Sequence, residues 1–128
     1  MRQISVLIIG LGRMGGRFFD KLSAAHNDKV KIVGVCETKE NNPIAQEAIS
    51  LGIPYYKNYE DAINELGEKI DIVMDTSNRP EIKQAIRKLL QETDNYHTVL
   101  IPLVVDYLMW YMLPGEEPIP QDHLEIGY

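Results

Sequence analysis

A chain of 128 residues, 45% of them hydrophobic and 25% charged, has room for one domain with a sizeable core and not for a second, substrate-carrying one. Its net charge of −6 argues against nucleic acid or an anionic membrane surface as a partner. A single cysteine, Cys36, and three scattered histidines, His26, His97 and His123, give neither a disulfide framework nor metal-ligand spacing, no apolar run reaches spanning length, and no signal peptide precedes the first strand, so a soluble, cytoplasmic, metal-free protein is expected.

Residues 4–9 form an apolar run of buried-strand length. The stretch Gly10-Leu11-Gly12-Arg13-Met14-Gly15 follows at once, and residues 13–25 read as a helix. Residues 31–37 are a second strand, closed by the acid Glu37, 22 positions after Gly15. Strand, G-x-G-x-x-G turn, helix, strand and acid in this order are the arrangement that binds a dinucleotide. Gly10 permits the tight turn, Gly12 lets a pyrophosphate approach the backbone, and Gly15 lets the helix pack on the strand. Arg13 and Met14 open the helix, whose free N–H groups favour phosphate. Glu37 is placed to accept hydrogen bonds from the adenosine ribose. A carboxylate there repels a 2′-phosphate, so NAD is favoured over NADP, and Lys39 nearby weakens that preference. The same glycine turn also occurs as a plain strand–helix connection; the flanking elements and the acid favour the nucleotide site.

Asn42-Pro43 starts a helix, Asn as cap and Pro at its first position, that runs to about residue 51 and stops at Gly52. Residues 53–56 are a short extended piece. Asn58 caps a third helix, with Asp61 in a capping-box-like place, ending at Gly67. Residues 70–75 are a strand, Thr76-Ser77-Asn78-Arg79-Pro80 a polar turn, and 81–91 a helix with Ile82, Ala85, Ile86, Leu89 and Leu90 on one face. Residues 98–105 are the last strand candidate, with Pro102 as its weak point. The alternation predicts an α/β fold: a doubly wound, mainly parallel, Rossmann-type sheet in the order 3-2-1-4-5. Ligands bind such sheets where the order reverses, so Thr76, Ser77 and Asn78 should converge with the glycine turn. Asp75 reads as a strand-end carboxylate bonding loop amides ahead of a catalytic base. Asn78 reads as a helix cap ahead of a nicotinamide-ribose contact, Arg13 as equally a phosphate partner or a solvated residue, and Arg79 as solvated.

The segment 107–113, with Tyr107, Trp110, Met112 and Leu113, is apolar or aromatic almost throughout. A helix apolar on all sides must be covered, and its aromatic and Met content suits a subunit interface, so a homodimer is favoured over packing on its own sheet. Residues 114–128 read as an extended acidic tail after a domain of residues 1–113.

Four stretches carry a resemblance. They are Val6 to Gly15, Val33-Gly34-Val35-Cys36-Glu37, Ala45 to Gly52 with Ile53-Pro54-Tyr55-Tyr56 and Tyr59-Glu60-Asp61-Ala62, and Asp71-Ile72-Val73 through Asn78. Over residues 3–100 the chain resembles the nucleotide-binding half of the glucose-fructose oxidoreductase / inositol dehydrogenase family. The nucleotide domains of homoserine dehydrogenase and dihydrodipicolinate reductase are similar to a lesser degree. The resemblance implies NAD(P) binding by a Rossmann domain. It also implies a Thr-Pro-Asn turn, here Thr76-Ser77-Asn78, a histidine on the following helix, here absent, and a Glu-Lys-Pro motif after the fifth strand, where this chain has Ile101-Pro102-Leu103. Cofactor binding therefore carries over and the catalytic lysine does not. The expected function is an NAD(H)-binding, oxidoreductase-like domain, with catalysis by the chain alone left open. The alternatives are a sensor of NAD redox state, an accessory subunit of a larger partner chain, and a binder of another adenine-containing ligand such as coenzyme A.

Overall fold

β1 (Ile4–Ile9) is the central strand, and its composition explains why. It pairs in parallel with β2 (Val30–Cys36) on one side and β4 (Ile72–Asp75) on the other. Val6 and Ile8 enter one core cluster, Leu7 and Ile9 the other. From Val6 to Ile9 the strand is covered on both faces and leaves no position for a polar side chain, which accounts for the apolar run there; Ser5 falls at the less covered start. The computed structural model describes residues 3–24 and 29–112.

β3 (Tyr55–Tyr56) extends the sheet beyond β2, and β5 (Val99–Leu100) beyond β4. The resulting order is β3-β2-β1-β4-β5, every pair parallel, as the alternation predicts. α1 (Arg13–Ala24), α2 (Pro43–Ser50) and α5 (Leu103–Met112) cover one face with Met14, Phe18, Phe19, Ala45, Ala48 and Trp110. The Phe18 and Trp110 rings meet edge to face with centroids 5.7 Å apart, which ties α5 to α1. α3 (Tyr59–Leu66) and α4 (Pro80–Glu92) cover the other face with Ala62, Ile63, Ile86 and Leu90. The expected caps form: Asn42 accepts from the N–H groups of Ile44 and Ala45, and Asn58 from that of Asp61.

Two expectations are corrected. The last strand ends at Leu100, and residues 103–105 belong to α5, not to a strand over 98–105. Pro102 has no N–H for a ladder, and its carbonyl instead accepts from Val105 N at 2.9 Å, opening the helix. β4 begins at Ile72; Asp71 just before it keeps backbone bonds to both neighbouring strands, donating its N–H to Ser5 O at 3.0 Å and accepting from Val99 N–H at 2.9 Å. Its side-chain Oδ2 takes the Ser5 N–H at 2.9 Å, while Oδ1 meets His97 Nε2 at 2.6 Å. Residue 25, Leu113 and the acidic tail at 114–128 lie outside the described residues.

Gly15 is where the fold is least forgiving. A Cβ there would stand 1.7 Å from the Gly10 carbonyl oxygen and 2.4 Å from Thr76 Oγ1. A Cβ on Gly12 would meet nothing within 4 Å. Gly15→Ala should therefore destabilise the protein by about 2 kcal/mol or more, against its better helix propensity, while Gly12→Ala leaves stability nearly unchanged. Urea unfolding of the two variants measures this, and equal midpoints would contradict the packing described.

Candidate functional site

The glycine turn is held from three directions. Gly10 has φ +86° at the end of β1 and donates its N–H to Cys36 O at 2.9 Å. The next residue is held at both its N–H and its carbonyl. Leu11 N–H donates to Glu37 Oε1 at 2.9 Å, and Leu11 O accepts from Asn42 Nδ2 at 3.0 Å. From the far side Thr76 donates its own N–H to Ile9 O at 2.9 Å, and its hydroxyl lies 2.9 Å from Gly10 O. The acid after β2, the cap of α2 and the residue after β4 thus fix one loop.

The turn forms one wall of a crevice of about 750 Å³ at the carboxyl ends of the strands. Gly10, Gly12 and Arg13 lie on one side, Glu37, Thr38, Lys57 and Tyr59 at one end, and Thr76, Ser77, Arg79 and Ile82 opposite. This volume suits a ligand of cofactor size. A hollow of about 780 Å³ lies at the other end of the sheet, lined by Leu22, Val30, Ile53 and Leu66 among others. Open parallel sheets hold ligands at their carboxyl ends, and only the first crevice brings polar groups together there.

Three features of the crevice suit a dinucleotide. The flank of Gly12 is open, so a phosphate can approach its backbone where α1 begins. Ser77 Oγ is buried and has no hydrogen-bond partner. Glu37 lies just past β2, its Oε1 bonded to Leu11 and its Oε2 accepting from Lys39 N–H at 3.0 Å. Each oxygen retains a second lone pair for a ribose hydroxyl.

The other candidates divide. Arg13 is exposed in the crevice wall. The Met14 side chain is fully buried in the core, so only its backbone faces the turn. Gly15 serves the packing of α1. Thr76 is 4% exposed with its hydroxyl committed to the turn, so it shapes the crevice from behind. Asn78 has φ +60° and stands outside the wall. It is not the cap of α4; that position is Arg79, which makes no side-chain cap bond and pairs with Glu81 at 2.8 Å. Lys57 also lines the crevice, 3.5 Å from Glu40. Lys39, to which the sequence pattern points, adjoins Glu37 through its backbone N–H, while a two-residue β3 gives little signal in the sequence for where Lys57 lies. Cys36 is buried, and burial pushes its thiol pKa up, away from reactivity. Among the described residues no cluster could hold a metal ion, and no helix is long and apolar enough to cross a membrane.

Behind the Thr76–Asn78 turn lies a polar cluster that the sequence pattern hides. Asp75, with no accessible surface, accepts from Ser77 N–H through Oδ1 at 3.0 Å, as a strand-end carboxylate should. Lys83 of α4, 6% exposed, donates to Asp75 O at 2.9 Å and stands 3.4 Å from Asp75 Oδ2. That second contact is an ion pair in distance without the alignment of a hydrogen bond, so Asp75 Oδ2 lacks a hydrogen-bond partner. Asp106 of α5 is fully buried with neither oxygen hydrogen-bonded. Burial raises its pKa to about 7, against the pull of Lys83 and with the push of Asp75. The available signal was a lone acid inside the apolar run of α5.

Residues 4–100 match the model of the glucose-fructose oxidoreductase, inositol dehydrogenase and MocA group, described as an oxidoreductase family with an NAD-binding Rossmann fold. The chain belongs to this family. No curated protein matches the chain significantly. Among solved structures, myo-inositol 2-dehydrogenase from Lactobacillus plantarum is 32% identical over 59% of this chain and 21% of its own, with a TM-score of 0.48. An NAD-binding protein from Listeria innocua is 19% identical over 87% of this chain and 33% of its own, TM-score 0.55. The WlbA dehydrogenase from Chromobacterium violaceum, solved with NADH and UDP-GlcNAcA, is 18% identical over 79% of this chain and 35% of its own, TM-score 0.51. The chain thus spans between a fifth and about a third of the length of these relatives. As a family member it carries the NAD-binding Rossmann fold, with the crevice at the place where the strand order reverses.

Asp106 makes stability depend on pH. The folded state holds its proton more tightly than the unfolded chain, so wild-type stability falls as pH rises from 3.8 through about 7. Asp106→Asn removes that loss, and its advantage over wild type should widen by about 2 to 4 kcal/mol between about pH 4 and pH 8. Parallel urea unfolding at the two pH values tests this; a constant difference would place the carboxyl in water.

Proposed function

We propose that this domain binds NAD(H) in the crevice, in preference to NADP(H), as part of an oxidoreductase-type function. The open flank of Gly12 carries the reading. Nothing inside the protein requires glycine there, whereas close approach of a pyrophosphate does. The pyrophosphate lies against Gly12, Arg13 and the first N–H groups of α1, including that of Met14. The adenosine ribose hydroxyls bond to Glu37, and the nicotinamide half extends toward Ser77 and Asn78. The bound group supplies hydride chemistry; these residues supply binding and orientation. The carboxylate of Glu37 opposes a 2′-phosphate, and Lys57 tempers that opposition.

Catalysis needs a substrate wall and a proton-moving group, and the crevice offers neither in an obvious form. Where the family resemblance calls for Glu-Lys-Pro, Pro102 ends the sheet and α5 begins. The second reading, a redox-sensing or accessory domain acting with a partner, is favoured by the outer face of α5. There Val104, Leu108, Tyr111 and Met112 are exposed, beside Val99 on the edge strand β5. A second copy of the chain suits this apolar edge, and a homodimer through α5 follows. A cytoplasmic location accords with the single buried thiol.

Gly12→Val should weaken NADH binding about a hundredfold or more while changing stability by no more than about 1 kcal/mol. Glu37→Gln keeps an acceptor for Leu11 N–H and removes the charge, so the affinity for NADPH relative to NADH should rise roughly tenfold. Calorimetric titration of both variants decides: unchanged affinity in the first sinks the site, and an unchanged ratio in the second removes Glu37 from the ribose. Replacing Leu108 and Tyr111 together by Glu should halve the mass found by sedimentation equilibrium; a wild-type protein that is already monomeric would end the dimer proposal.

A further inference from the structure

β3 pairs with β2 only at Val35 and Cys36. The earlier part of β2, Val30 to Val33, therefore has β1 on one side and no described strand on the other. Lys29 O accepts from Ile4 N–H, so the backbone of the next residue, Val30, turns away from β1, and Ile32 follows by alternation. Among the described residues, no backbone group outside the β1 ladder bonds to either. This open edge borders the hollow of about 780 Å³ at the amino ends of the strands. Leu22 of α1, Leu51 and Ile53 after α2, and Leu66 of α3 form its walls, and Leu51 is 60% exposed. An apolar hollow along an unpaired strand edge is a surface to which an extended segment can add as a further strand.

The two faces of the edge differ. Val30 and Ile32 pack in the core cluster beneath α1 and α2, together with Leu22 and Ile53. Lys31, between them, lies on the opposite face, that of α3, where Lys69 follows α3. These two lysines are the only charged residues among the described ones that line the hollow. A strand that fits here carries apolar side chains at alternate positions and an acid between them.

Residues 123–128 of this chain have that pattern, with Glu125 between Leu124 and Ile126. Residues 113–128 hold Glu116, Glu117, Asp122 and Glu125 and no Lys or Arg, a charge opposite to that of Lys31 and Lys69. The distance is short enough. Trp110, near the end of α5, packs on Phe18 of α1, and Leu22, one turn further along α1, lines the hollow. Residues 113–122 can extend to about 33 Å, roughly three helix diameters.

We propose that residues 123–128 dock along the Val30–Val33 edge of β2 as a further strand. Leu124 and Ile126 fill the apolar side of the hollow, and Glu125 lies beside Lys31 and Lys69. Docking covers an edge that would otherwise invite another chain, and it ties the end of α5 to the β2 side of the sheet. It is independent of nucleotide binding, which uses the opposite end of the strands.

The test is amide hydrogen exchange, followed by NMR on the whole 128-residue chain. The N–H groups of Val30 and Ile32 should exchange about tenfold or more slowly in the wild type than in a variant carrying Leu124→Asp and Ile126→Asp. Unchanged chemical shifts at Leu7 and Val73 show that the variant keeps its core. Lys31→Glu should cause a similar loss of protection, and adding Glu125→Lys to it should restore protection. Rapid exchange at Val30 and Ile32 in the wild type overturns the inference, as does equal protection in the variant with both aspartates. Lys31→Glu without effect contradicts it as well. Contacts between Ile126 of one copy and Ile53 of another, in a sample mixing labelled and unlabelled protein, would overturn it in favour of a second copy as the occupant.

Discussion

α1 meets the end of β1 at a separation that leaves no room for a side chain. Only hydrogen fits between the α-carbon of Gly15 and the carbonyl of Gly10. This contact directs the helix N-terminus into the crevice and forces the chain to turn sharply at Gly10, with positive φ. It also leaves polar groups of the turn that must be satisfied from elsewhere. Glu37 and Asn42 from the β2–α2 connection and Thr76 from the β4–α4 connection supply that satisfaction. The site is therefore assembled by the sheet as a whole, and the ligand-facing groups are held in place by residues that also complete the fold.

The strongest sequence signals came from elements whose local chemistry and burial agree. From Val6 to Ile9 β1 is covered on both faces, so its side chains there are all apolar; α2 and α3 carry Asn caps whose bonds form as expected. The glycine turn combines a backbone requirement at Gly10 and Gly15 with an absence of any internal requirement at Gly12. That contrast, invisible in the letters, separates the structural glycines from the one facing the crevice. Where signals conflict, reading fails. Residues 103–105 carry strand-forming apolar side chains, yet the proline before them starts a helix. Asp71 keeps the backbone bonds of a strand residue to Ser5 and Val99, and its carboxylate also takes the Ser5 N–H, a bond between positions far apart in sequence. Thr76 and Glu37 were legible as crevice residues, but not their bonds to the turn, which join positions far apart in sequence.

The cluster of Asp75, Lys83 and Asp106 was the least legible. Lys83 sits in a helix whose charged residues are otherwise mostly solvated, and nothing in its neighbours marks it as buried. Asp106 stands out only as a polar interruption of an apolar helix. Tertiary packing turns that interruption inward and leaves several apolar neighbours outward, so α5 has its polarity partly reversed. Such an inversion is costly for an isolated domain.

The central claim is that the crevice between the glycine turn and Ser77 holds a nicotinamide dinucleotide. Calorimetric titration of the wild-type protein with NAD, NADH, NADP and NADPH in turn tests it most directly. The account predicts one-to-one binding of NAD or NADH at micromolar concentrations, with the phosphorylated forms weaker. Failure of all four to bind a folded protein would contradict it.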